Sequence, residues 1–160
     1  MQQDHRPRAY VAVISRESPG NWAVCREQGL WGFTERAARN LGRAVGPGDL
    51  IWFYVAGRGF VALSEILGEP EPLPDRAETP WNDGRLYAST VRIRFIADLP
   101  TAIRPDFPRT SGYKFDPMLK IGTNHLLAGF FRITPDQHAA LVSRSQDVIP
   151  TDYRAAAAHR

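Results

Sequence analysis

The amino-acid sequence predicts a single α+β domain built on a small, closed or nearly closed β-barrel of five or six short strands. Short helices are inserted between strands, with one more near the C-terminus. Three observations carry this expectation. Short β-rich runs recur at residues 9–15, 30–33, 50–55, 60–66, 87–97 and 128–133, the lengths of strands in a small sheet. Helix start and stop signals fall between those runs rather than in a block of their own. The 160-residue length, with 43% hydrophobic and 23% charged residues, suits one domain with a real core and not two.

Taken in order, residues 9–15 are apolar on both faces, which places the first strand inside the sheet. Ser18 and Pro19 supply an N-cap and a first-turn proline and Gly29 a stop, so a helix is expected over residues 19–28. A brief strand at 30–33 precedes a second helix over 34–45, with Ala37, Leu41 and Val45 on one face and Gly46-Pro47-Gly48-Asp49 ending it. The runs 50–55 and 60–66, joined by Ala56-Gly57-Arg58-Gly59, read as a hairpin. Residues 67–85 are net acidic and broken by Pro70, Pro72, Pro74 and Pro80, an irregular excursion. In the long strand at 87–97, Val91, Ile93 and Phe95 alternate with Arg92 and Arg94, so one face is buried and one wet. Residues 100–122 read as loop. After a last strand at 128–133, Thr134-Pro135-Asp136-Gln137 is a capping box opening a helix to about residue 142. The domain is therefore expected over residues 9–146, with 1–8 and 147–160 as flexible tails.

Several function classes lose support at this level. No apolar run approaches the roughly 18 residues of a membrane helix, and the opening Met-Gln-Gln-Asp-His-Arg-Pro-Arg has no secretory apolar core. A cytoplasmic location is the expectation. Cys25 is the single cysteine, so neither an internal disulfide nor a cysteine metal site is expected, and His5, His125, His138 and His159 lack metal-ligand spacing. No cofactor is expected. The formal charge of +3 is a mild bias toward polyanions. Of the 20 basic residues 18 are arginine, which suits phosphate contacts but is equally the mark of GC-rich coding.

The most informative local feature is a pair of tryptophans outside the apolar strand runs. Trp31 lies in Gly29-Leu30-Trp31-Gly32-Phe33 and Trp81 in Pro80-Trp81-Asn82-Asp83-Gly84. Two indoles facing one cleft would hold a flat ligand, and a nucleobase fits because each base has a π-face worth about 1–3 kcal/mol in stacking. Ser15, Asn21 and the Gly32 backbone N–H are candidates for reading the base edge. Arg36 and Arg39 are candidates for a flanking phosphate. Phe33 and Tyr54 complete the candidate set, although Tyr54 alternates with Leu50 and Trp52 and has a core reading as well. Trp22 and Trp52 read as core. A methyl on the base adds about 0.8 kcal/mol per buried carbon, and a shaped slot discriminates one methyl by about 1–3 kcal/mol, so preference for a modified base would be tens-fold.

The pieces Val13-Ile14-Ser15, Ser18-Pro19, Trp31-Gly32-Phe33, Ala38-Arg39-Asn40-Leu41, Gly48-Asp49, Phe53-Tyr54, Gly59-Phe60-Val61-Ala62-Leu63, Pro80-Trp81 and Ile133-Thr134-Pro135-Asp136 occur in an order and spacing that resemble an EVE domain. That family belongs to the PUA-like superfamily and is related to YTH domains, so the resemblance implies a PUA-like barrel. It also implies a reader of modified bases in DNA or RNA, because YTH domains hold a methylated adenine in an aromatic cage. Under it Trp31 and Trp81 correspond to cage tryptophans, and Ser15 and Asn21 to groups touching the base edge. The chain departs from many relatives at Tyr54-Val55-Ala56, where they have Tyr-His-Ser, and at Thr123-Asn124-His125, where they have Arg and Ser. The alternative is an enzyme on a PUA-like barrel, an ASCH-type nuclease or amidohydrolase acting on RNA or nucleosides through His125 and an acidic partner.

Overall fold

The computed structural model describes residues 7–15, 20–42, 44–74, 79–81, 87–105, 115–145 and 147–156. Its strands are β1 (Ala9–Ile14), β2 (Leu30–Thr34), β3 (Leu50–Val55), β4 (Gly59–Ile66), β5 (Glu71–Pro72), β6 (Tyr87–Ile103), β7 (Phe115–Asp116), β8 (Ile121–Gly122) and β9 (Phe130–Ile133). Helices α1 (Gly20–Gln28), α2 (Glu35–Ala37), α3 (Thr123–Leu127) and α4 (Pro135–Ser143) lie between and after them. The main sheet runs β2-β6-β4-β3-β1-β9, with β5 on β6, and β7 and β8 form a separate hairpin. β1 and β3 pair in parallel from Ala9↔Leu50 to Ile14↔Val55; the other pairings are antiparallel. The α+β barrel expected from sequence is thus present as a curled mixed sheet.

The interior position of β1 and β3 explains their composition. Tyr10, Ala12, Ile14, Ile51, Phe53 and Val55 point into one buried cluster, while Ala9, Val11, Leu50 and Trp52 point into another under α4. A strand buried on both faces has no place for polar alternation. Trp52, one of the two indoles expected in the core, is fully buried, and its Nε1–H donates to His138 Nδ1 (2.9 Å). Because that nitrogen accepts, the ring proton sits on Nε2, which donates to the Tyr153 carbonyl (2.7 Å). Burial holds the His138 imidazole below its ordinary pKa.

Among the described residues the sheet does not close by hydrogen bonds. Its edge strands β2 and β9 meet through rings instead: Phe130 lies edge-on to Phe33 (5.0 Å between centroids), stacks on Tyr10 (5.2 Å) and approaches Trp31 (6.3 Å).

Four segments differ from the sequence expectation. β6 continues to Ile103, beyond residue 97, and includes Pro100. The register jumps from Ala62↔Asp98 to Phe60↔Ile103, so the proline falls in an irregular stretch where a missing N–H breaks no ladder. There the Ile103 carbonyl comes so close to Gly59 (φ +113°) that a Cβ would lie 2.4 Å from the oxygen. The second helix is short: Thr34 Oγ1 accepts the Ala37 N–H (3.3 Å), but regular helix stops at Ala37 and passes into a π-type turn over Ala38–Gly42. Residues 147–156, expected in a flexible tail, pack on the second cluster, because Ile149 and Ala156 are apolar and buried and Tyr153 donates to Glu65 Oε2 (2.9 Å). The 100–122 segment includes the β7–β8 hairpin, where buried Asp116 accepts the N–H groups of Met118 and Leu119 (2.8 Å each). Ser18 and Pro19 lie outside the described residues, as do residues 1–6 and 157–160. No described helix is long and apolar enough to cross a membrane.

Candidate functional site

The ring-closed seam leaves a cavity at one end of the barrel, with a volume of about 60 Å³. The end of β1 supplies Val13, Ile14 and Ser15, and α1 supplies Asn21 and Cys25 from the first crossover. Trp31, Gly32 and Thr34 of β2 form one side; Ala128, Gly129 and Phe130 at the start of β9 form the other. Trp81 and Tyr87 cover it. The two tryptophans singled out in the sequence thus line one cavity with Ser15, Asn21 and Gly32.

Gly32 organises this arrangement. On a pleated strand the residue-32 side faces away from Trp31 and Phe33, and Trp81 and Tyr87 occupy that face. A Cβ there would lie 2.7 Å from Trp81 Cζ3 and 2.8 Å from Tyr87 Cδ1, so only glycine admits both rings. The two rings pack on each other at 4.8 Å, and Trp81 Nε1–H donates to Cys25 Sγ (3.1 Å). Trp81 is only 7% exposed, so it belongs to the core as the molecule stands. Trp31 lies edge-on to Phe53 (5.7 Å), and among the described residues its buried indole N–H has no hydrogen-bond partner.

The β2 backbone adds directional groups. The Ile93 N–H donates to the Gly29 carbonyl (2.9 Å), which makes Leu30↔Arg92 a pair whose own N–H and C=O groups turn away from each other. By alternation Gly32↔Thr90 is of the same type. Since β2 is an edge strand, the Gly32 N–H and C=O point to the open seam and not into the sheet, offering one donor and one acceptor at the cavity wall.

A family model described as the EVE domain matches residues 9–143. The chain belongs to the EVE domain family. This EVE domain is similar in fold to a Pseudomonas putida protein, at 19% identity and a TM-score of 0.57 over 84% of this chain and 97% of that one. It is also similar to protein Atu2648 from Agrobacterium tumefaciens, at 19% identity and a TM-score of 0.55 over 89% and 96%. The Pho92 YTH domain, solved in complex with m6A, aligns at 19% identity and a TM-score of 0.45 over 59% of each chain, so the EVE chain spans less than two thirds of that YTH chain. No curated protein matches the chain.

Not every candidate from the sequence reaches the cavity of this EVE domain. Phe33 is fully buried below it, edge-on to Phe130, and holds the seam shut. Tyr54 sits on the other face of the sheet, against Phe60 (5.0 Å) in the second cluster, because it shares strand parity with Leu50 and Trp52. Arg36 is exposed on α2, one residue before cavity-lining Ala37. Arg39 lines a separate groove beside the cavity. His125 is removed from the cavity, its Nδ1 accepting the Gly122 N–H (3.0 Å) at the start of α3 and its ring beside Phe131. Sequence reasoning missed Cys25, Tyr87 and the Ala128–Phe130 wall. Tyr87 follows Trp81 closely, a usable signal; Cys25 and Phe130 carry none, since each reads as ordinary core.

The chemistry of the lining is uniform. Among the described residues the lining contains no Asp, Glu, His, Lys or Arg, and no three His, Cys, Asp or Glu side chains cluster as metal ligands. Such a surface can stack, exclude water and exchange directional hydrogen bonds.

Proposed function

We propose that this EVE domain is a binding module, without catalytic activity, that reads a modified nucleobase in DNA or RNA. The observation that carries the reading is the aromatic cavity at the β2–β9 seam, whose described lining residues carry no charge, with the outward-facing peptide groups of Gly32 in its wall. A neutral planar base is matched by rings on its faces and by fixed donors and acceptors at its edge. Trp31, Trp81 and Tyr87 supply the rings. The Gly32 N–H and C=O, the Trp31 indole N–H, Asn21 and Ser15 supply the edge contacts. Arg36, exposed next to the cavity, is the candidate for a flanking phosphate.

The size of the cavity dictates how a base enters. An enclosed cavity of roughly 150 Å³ holds benzene, against about 60 Å³ in this open cavity. A base therefore engages the mouth of the cavity against Trp31, Trp81 and Tyr87, where one stacking contact contributes about 1–3 kcal/mol. Added methyl groups fill the apolar part of the slot, giving the tens-fold preference expected for a single modification.

The test is isothermal titration of the protein with N6-methyladenosine, 5-methylcytidine, 5-hydroxymethylcytidine and their unmodified parents. At least one modified nucleoside is expected to bind tens-fold more tightly than its parent. Trp81→Ala is expected to weaken that binding by about 1–3 kcal/mol. Equal affinity for every modified and parent nucleoside would refute the proposal.

A further inference from the structure

A second, larger concavity of about 600 Å³ lies beside the aromatic cavity and is lined in part by Glu35, Arg39, Glu69, Ser89, Pro70 and Pro72. The two spaces share a thin wall. Thr34, Ala37 and Tyr87 line the aromatic cavity, whereas their chain neighbours Glu35, Ala38 and Ala88 line the groove, so the groove begins one residue's breadth away.

Among the described residues Glu35, Arg39 and Glu69 take part in no ion pair. Ser89, only 8% exposed, lines the groove, and among the described residues its hydroxyl has no hydrogen-bond partner. A side chain more than nine-tenths buried whose polar atom is left for an outside partner is what a ligand site requires.

Resting on the reading given above, we propose that this groove holds the nucleobase next to the modified one on the same strand, and selects a base that carries an exocyclic amino group. Among the described lining residues two carboxylates stand against one guanidinium, a balance that disfavours the phosphate chain. A carboxylate accepts from the amino hydrogens of cytosine, adenine or guanine, whereas the O4 of uracil or thymine would face it acceptor to acceptor. The rings of Pro70 and Pro72 offer an apolar flank for the base, and Ser89 and Arg39 serve its remaining acceptors. Arg39 is thereby reassigned from the phosphate to a base edge, and the modified base and its neighbour are read by two adjoining sites.

Cytosine and uracil give the sharpest test, being alike in shape and opposite in donor pattern. The probes are trinucleotides carrying at their centre whichever of N6-methyladenosine, 5-methylcytidine and 5-hydroxymethylcytidine binds most tightly, flanked on either side by cytosine or uracil. Affinities are compared in the wild type and in the double variant Glu35→Gln, Glu69→Gln. On one flank, cytosine is expected to bind about tenfold more tightly than uracil. The double variant should bring that ratio below about twofold and leave the affinity for the free modified nucleoside unchanged. Equal affinity for cytosine and uracil with nucleoside binding intact would overturn the groove assignment alone. Tighter binding of every trinucleotide by the double variant, whatever the flank, would assign the groove to backbone and overturn it as well. Failure of all nucleosides and trinucleotides to bind would remove the base-reading proposal and this inference together.

Discussion

Gly32→Ala is the most informative single substitution, because it perturbs the cavity wall without removing a ring. Gly32 has no left-handed backbone requirement, so alanine is admissible there. Its Cβ would meet Trp81 Cζ3 at 2.7 Å and Tyr87 Cδ1 at 2.8 Å, against the 3.4 Å at which ordinary contact begins, so both rings must retreat by most of an ångström. The atoms in conflict are ring edges and not backbone. The overpacking cost should therefore fall at about 1–3 kcal/mol, short of unfolding a domain of ordinary stability. Displaced rings stack poorly on a bound base, and losing one such stack costs about 1–3 kcal/mol, or roughly 5- to 150-fold in Kd. Titration of the best-binding modified nucleoside into wild type and variant reads the effect, with circular dichroism and thermal melting to verify the fold. Gly20→Ala is the control, since a Cβ at Gly20 meets nothing within 4 Å. Wild-type affinity in a folded Gly32→Ala protein would refute the assignment of Trp81 and Tyr87 as walls of the site.

Three further outcomes are expected. With a formal charge of only +3, binding to unmodified oligonucleotides should be weak, and log K should fall with log salt with a slope reflecting about two or three phosphates; a steep slope would reveal a basic surface the account lacks. Stability should fall as pH drops below 6.5, because burial keeps native His138 neutral while the unfolded chain takes up a proton near that ordinary value. The loss, at most about 1.4 kcal/mol per pH unit, should level off below the native pKa and be absent above about pH 7.5; urea titrations from pH 4 to 8 measure it, and His138→Gln, which lacks the titration, should flatten the profile. Finally, the protein should convert no nucleoside or oligonucleotide, with or without divalent metal, as followed by mass spectrometry; turnover abolished by His125→Ala would restore the enzyme alternative.

How much of this was legible in the sequence follows from where local chemistry decides the outcome. The two-faced apolar run of β1 pointed to an interior strand, and the structure places it between β3 and β9. The Thr134 and Gln137 capping box forms as read, with Thr134 Oγ1 accepting the Gln137 N–H (3.1 Å) and Gln137 Oε1 accepting the Thr134 N–H (2.8 Å). Other features depend on contacts distant in sequence. β6 passes through Pro100 because β4 has a compensating irregularity, and residues 147–156 settle where Glu65, Trp52 and the His138 ring await them. Within the site, Trp31, Gly32 and Trp81 stood out through unusual neighbours. Phe130 and Cys25 look like any core residue, since nothing local says that the sheet fails to close beside them. Tyr54 shows the limit from the other side: it stood in the candidate set although its alternation with Leu50 and Trp52 also gave it a core reading, and the structure follows that parity.

The central claim is that a modified base enters the β2–β9 seam between Trp31 and Trp81, and nuclear magnetic resonance of the labelled protein tests it most directly. On titration with the best-binding modified nucleoside, the account predicts the largest shifts at the indole N–H groups of Trp31 and Trp81 and the backbone amides of Gly32, Cys25 and Tyr87, with the Trp52 indole and the amides of Tyr54 and His125 unmoved. Saturable shifts centred on Tyr54, His125 or the β7–β8 hairpin, with the Trp31 and Trp81 signals unchanged, would contradict it.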